Sequence, residues 1–121
     1  MPKAEEVPVT NELPAVISRY FDADRVRDVD TIVSCFTDDA AVNDEGQTWR
    51  GHDKIRAWRT GPAAKYRYTI DVLDATAADA SSAGERHDVR IHMEGDFPGG
   101  EVDLTFRFAV RDGLISTLDI V

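Results

Sequence analysis

The sequence holds a single cysteine, Cys35, so an intramolecular disulfide is excluded. No apolar run approaches the ~18 residues that a membrane-spanning helix needs. The start, Met-Pro-Lys-Ala-Glu-Glu, lacks the apolar stretch of a secretory leader, which points to a cytoplasmic protein. Basic residues are scarce. Against 23 Asp and Glu stand 14 Lys and Arg, a net charge of −9, and no Lys/Arg cluster offsets the excess of acid. Such a chain repels phosphate backbones, which argues against nucleic-acid binding. It has no glycine-rich phosphate loop; Gly99-Gly100 belongs to a hairpin. The three histidines, His52, His87 and His92, offer no metal-ligand spacing. His87 and His92 are five apart on a strand pattern and so face opposite sides.

What is present is the material of one α+β domain. A chain of 121 residues buries enough apolar surface to fold without a staple. Residues 1–12, with Pro2 and Pro8 and no periodicity, read as an arm. Residues 13–121 form the domain. Leu13, Val16, Ile17, Tyr20 and Phe21 share one helical stripe, with Asn11 as a candidate cap. Asp28 caps a second, shorter helix with the stripe Val29, Ile32, Val33 and Phe36, which Thr37-Asp38-Asp39 ends. Residues 40–44 read as a short strand and Glu45-Gly46 as a turn. Trp49-Arg50-Gly51 leads into a third helix, capped by Asp53 or His52, with Ile55 and Trp58 on one face and Gly61-Pro62 at its end.

The remainder alternates with period two. Tyr66, Tyr68, Ile70 and Val72 form one series, Val89, Ile91 and Met93 a second, and Val102, Leu104, Phe106, Phe108 and Val110 a third. Residues 77–84, small and polar, read as a flexible connection, and Leu114 to Val121 as the last strand. Three early helices must cover the apolar face of a late, mostly antiparallel sheet. A curved sheet wrapped over a helix leaves a concave cavity at one end, where small molecules bind.

Three motifs carry a resemblance to a family. Residues 36–44, Phe-Thr-Asp-Asp-Ala-Ala-Val-Asn-Asp, resemble the segment F-x-D-D-A-x-x-x-D. Residues 50–55 resemble R-G-x-x-x-I, and residues 108–115 resemble F-x-x-R-D-G-x-I. In this order they are similar to nuclear-transport-factor-2-like proteins of the SnoaL-like type, whose fold is a cone. The fold hosts isomerases, cyclases, dehydratases, hydrolases and non-enzymes, so activity rests on the site.

One part of the resemblance reaches the chemistry. Ketosteroid isomerases carry a first-helix Tyr and a first-strand Asp at the spacing of Tyr20 and Asp44, which stand 24 positions apart. The resemblance implies a general base at Asp44 and an oxyanion donor at Tyr20, with no cofactor. Period two places Asp44 on the apolar face of Ala40 and Val42. A carboxylate there is poorly solvated, which suits a proton acceptor. Trp58, Met93, Leu104, Phe106 and Phe108 would supply the apolar wall for a small apolar or aromatic molecule. The bland alternatives are a solvated turn residue at Asp44 and a core tyrosine at Tyr20. The sequence also departs from the isomerase. Leu104 stands where a second, protonated Asp would donate, and the Pro after the first-strand Asp is Glu45. One missing donor costs about 3 kcal/mol of transition-state stabilisation. An isomerase or cyclase acting on another ketone fits better than steroid isomerisation, and the alternative is a non-catalytic ligand-binding or dimeric structural module.

The other candidates are weaker. His92 shares a face with Arg90 and Glu94, away from the cavity. His87 keeps the parity of Val89 and Ile91. His52 reads as a loop or cap residue, Cys35 as a small buried residue, and Asp119 as pointing opposite to Leu118 and Ile120. Arg67, Asp71, Arg90, Glu94, Asp103 and Arg107 alternate in sign on the outer sheet face, which suits the homodimer that the resemblance implies.

Overall fold

The computed structural model describes residues 13–121, so the arm and the Asn11 cap lie outside the described residues. Helix α1 spans Ala15–Arg25 and buries Val16, Ile17, Tyr20 and Phe21, as the stripe requires. It starts behind Pro14, whose carbonyl accepts from the amides of Ile17 and Ser18. Helix α2 spans Val29–Ser34, and the Asp28 carboxylate caps it by accepting from the amide and the hydroxyl of Thr31. Helix α3 spans His52–Thr60. Neither His52 nor Asp53 caps it by its side chain. Gly51 takes the cap position at φ 86°, and its amide donates to Ala40 across 2.8 Å. His52 turns back instead, with Nε2 2.9 Å from the Phe36 carbonyl. A single 3-10 turn, Pro62–Ala64, follows Gly61.

Among the described residues the sheet has six strands. These are β1 (Phe36–Asp44), β2 (Gln47–Arg50), β3 (Tyr68–Ser81), β4 (Gly84–Gly95), β5 (Glu101–Arg111) and β6 (Leu114–Ile120). Their order across the sheet is β2-β1-β6-β5-β4-β3. All neighbours are antiparallel except β1 and β6, which run parallel, so the last strand closes the sheet against the first. Glu45-Gly46 and Asp112-Gly113 each place two residues at positive φ, the geometry of a tight two-residue hairpin.

Three boundaries differ from the sequence reading. Phe36 opens β1 rather than closing α2, because Phe36 and Thr37 are buried in the sheet and the chain turns at Cys35. The short strand β2 carries no apolar alternation; its pairing with β1 alone defines it. Residues 77–84 are not a loose connection. Ala77 pairs with His87, Ala78 with Arg86, and Ser81 with Gly84, so the hairpin is extended to its tip. Gly84 makes that tip feasible: at φ 131° a side chain would collide with the Val110 backbone.

The core lies between the helices and the inner sheet face. Tyr20, Phe21, Phe36, Phe106 and Phe108 form one aromatic cluster. Tyr20 meets Phe36 and Phe108 edge-on at centroid distances of 6.0 and 5.8 Å. Such pairs add about 0.5–1.5 kcal/mol each beyond area burial. The cluster fills one end of the cone and leaves the other open.

Candidate active site

The open end is a cavity of about 860 Å³. That is room for a drug-sized or polycyclic molecule. Its apolar wall includes Ile70, Met93, Leu104, Phe106 and Ile120 from the sheet and Trp58 and Ala63 from α3 and the turn after it. Exposed Glu45, Gln47, Lys65, Pro98 and Glu101 stand at the mouth. Phe108 does not line the cavity. It has the inward parity of Phe106, but it is fully buried under Tyr20 and Phe21, at centroid distances of 5.8 Å each. Parity sets the face of a strand; which helix covers that stretch decides whether the face meets a cavity.

Asp44 lies at the end of β1, in register with Gln47 of β2. Ala40 and Val42 on the same face are fully buried, and Asp44 is half-buried at the cavity edge. Its carboxylate is held from one side. Trp58 Nε1 donates to Oδ2 across 3.0 Å, so α3 orients the group and the second oxygen carries no protein partner among the described residues. Tyr20 reaches the same cavity from α1. No described residue hydrogen-bonds its hydroxyl. Burial pushes that hydroxyl well above the ordinary phenol range, and the Arg59 charge pulls in the opposite direction. Tyr20 therefore holds its proton throughout the physiological range.

The sequence reading missed the third polar part of this wall. Asp24, Arg59 and Tyr68 also line the cavity and bond to one another. Arg59 Nη2 donates to Asp24 Oδ1 across 2.6 Å, and the Tyr68 hydroxyl donates to the same oxygen across 2.9 Å. Arg59 Nη1 lies 3.4 Å from the Tyr68 oxygen. The two charged side chains are 5% and 6% exposed, deep burial for an ion pair. Burial opposes the Arg59 charge, but Tyr20, Tyr68 and Asp24 more than offset it, and the guanidinium sits above its ordinary range. Burial likewise raises the Tyr68 hydroxyl. A signal for this group was available. Asp24 continues the α1 stripe four residues after Tyr20, and Arg59 stands four after Ile55. Two opposite charges on two apolar stripes are a candidate buried pair.

The weaker candidates fall elsewhere. His92 lies on the outer face, where Nδ1 is 2.6 Å from Asp103 and Nε2 is 3.0 Å from Glu94. The oxygens of Glu94 and Glu101 gather near His92 Nε2, the only group of metal-ligating atoms found among the described residues. His87 pairs with Phe108 in the β4–β5 register, away from the cavity. Asp119 accepts from Asn43 Nδ2 across 2.5 Å. Cys35 is buried, and burial raises its thiol, so it is no ready nucleophile.

Solved structures share this architecture. A protein of Sinorhizobium meliloti described as a candidate polyketide cyclase is 33% identical, with a TM-score of 0.82 over 93% of this chain and 98% of that one. A Mycobacterium tuberculosis protein in complex with estradiol-17β-hemisuccinate is 19% identical, with a TM-score of 0.69 over 87% and 88% of the two chains. The Δ5-3-ketosteroid isomerase of a Mycobacterium species is 21% identical, with a TM-score of 0.68 over 88% and 89%. At these last two identities the likeness is one of fold. No curated protein matches the sequence. The family model of the SnoaL-like domain matches residues 17–118, from the first helix through the last strand, and the chain belongs to that family.

Proposed function

We propose that the protein binds a small apolar ketone, polycyclic or polyketide-like, in the cone and moves a proton at the carbon next to the carbonyl. Asp44 takes the proton. Tyr20 donates a hydrogen bond to the enolate-like oxygen that develops. Isomerisation, cyclisation or aldol chemistry follows from such an intermediate, and none of these steps needs a cofactor. The observation that carries the reading is the cavity itself. It holds a carboxylate oriented by the Trp58 N–H and a buried phenol, both facing an apolar space large enough for the ligand. A carboxylate bound on one side only keeps a lone pair for the substrate proton. The similarity to a candidate polyketide cyclase over nearly the full length of both chains supports the same substrate class.

The test is exchange of α-protons for deuterium in a panel of bicyclic aromatic ketones, followed by NMR. The wild type should accelerate exchange of at least one ketone, and Asp44→Asn should lose about 10²–10⁴ of that rate. Equal rates in the two proteins would refute the role of Asp44.

A second reading, a binder without chemistry, is favoured by one observation. Leu104 lines the cavity, and it is an apolar side chain at the position where the resemblance implies a second donor. Binding of planar phenols with no exchange of any ketone would select this reading.

A further inference from the structure

A cavity built only to hold an apolar molecule has no use for a buried ion pair in its wall. Taking Asp24 and Arg59 out of water is costly, and apolar residues of similar size would serve packing at least as well. The pair nevertheless lies against the cavity, 5% and 6% exposed, and joins α1, α3 and β3. Its place relative to Tyr20 is set by the helix. Tyr20 and Asp24 are four apart on α1, one turn above the other on the same face. Arg59 reaches Asp24 across 2.6 Å, and its side chain lines the same cavity as Tyr20. Tyr68 completes the clamp, donating to Asp24 and accepting from Arg59.

The clamp does not use up the guanidinium. Nη2 is committed to Asp24, and among the described residues Nη1 has only the long 3.4 Å contact to Tyr68. Nε is buried without a partner among the described residues. An arginine of five donors fixed by one short bond still presents a positive field to its neighbours. At the Tyr20 hydroxyl, after burial, Arg59 is the largest single influence, and it acts against those of Asp24, Tyr68 and Asp44.

We propose that Arg59, clamped by Asp24 and Tyr68, is the second electrostatic partner of the ligand oxygen held by Tyr20. It is the cation that stabilises negative charge there, in the absence of a second acidic donor at Leu104. The ligand class follows: a compound whose oxygen is anionic or becomes so, an enolisable ketone or a phenol. This rests on the Tyr20–Asp44 reading above and deepens it. The role is electrostatic and is carried at short range inside a water-poor wall, where such interactions are strongest.

The test measures the ionisation of bound 2-naphthol by absorbance across pH. It is done in the Asp44→Asn background, which imitates the base after it has taken its proton. Two further changes are made there. Asp24→Asn leaves Arg59 unopposed, and the naphthol should ionise at lower pH. Asp24→Asn with Arg59→Gln removes both charges and should make ionisation about tenfold harder than in the parent. The two shifts have opposite signs, so either variant tests the proposal if the other fails to fold. A purely structural pair would weaken both variants and move the midpoint in neither. Equal midpoints in all three proteins would overturn the proposal, and so would a failure of naphthol to bind any of them. The outcomes also separate this claim from the catalytic one. Ketone exchange without a naphthol shift removes Arg59 and keeps Asp44, whereas a naphthol shift without exchange keeps the oxygen site and removes the chemistry.

Discussion

The cavity wall and the outer face of the sheet each set a cationic group against carboxylate, and the two groups behave differently. Inside, Arg59 and Asp24 are 5% and 6% exposed, and Arg59 and Tyr68 both donate to one Asp24 oxygen. Outside, His92 meets Asp103, Glu94 and Glu101 with side chains 25%, 56%, 63% and 66% exposed. The outer group trades its hydrogen bonds with water at little loss. The inner pair, at 5% and 6% exposure, has little access to water that could replace a missing partner. The residue types are similar; burial is what turns one group into an organised electrostatic site and leaves the other a surface ornament of the sheet.

This contrast can be broken at several points. Arg59→Met leaves Asp24 as an unpaired buried charge and should cost about 3–5 kcal/mol of stability in urea unfolding. A loss within error would mean that the pair is solvated after all. Trp58→Phe keeps most of the apolar contact and deletes the donor to Asp44. Ketone exchange should slow about tenfold with a modest change in stability. An unchanged rate would show that the Trp58 N–H does not orient the base. The smallest effect is expected outside. Hydrogen bonds donated to the Asp103 and Glu94 carboxylates raise the His92 imidazole above its ordinary 6.5. The stabilisation from protonated His92 is therefore complete below the unfolded midpoint and is lost as pH rises through the raised folded one. Asp103→Asn should lower the His92 midpoint in an NMR titration and flatten that pH dependence, with ketone exchange untouched. A shift in exchange would couple the outer face to the cavity and end the contrast.

The legible parts of the molecule were those with a strong period. The α1 stripe, the turns Glu45-Gly46 and Asp112-Gly113, and the inward face of β5 followed from spacing and turn chemistry. The face of Asp44 followed from the alternation of Ala40 and Val42, and the cavity edge lies there. What escaped had its cause in partners distant along the chain. Strand β2 exists because β1 is beside it, and residues 77–81 are strand because residues 84–87 pair with them. Phe108 was placed on the cavity wall by parity, and helix α1 covers it. Asp24 and Arg59 were passed over because a charge on a helix ordinarily faces water; only the meeting of two stripes 35 residues apart buries them.

The most direct measurement returns to Asp44. A ketone that 2-naphthol displaces from the wild type is incubated in deuterated buffer with wild type and with Asp44→Asn, and the naphthol affinity of each protein is measured alongside. The account predicts α-proton exchange by the wild type and a loss of about 10²–10⁴ in the variant, with naphthol affinity retained. Exchange at the same rate in both proteins, or loss of naphthol binding together with exchange, would contradict it.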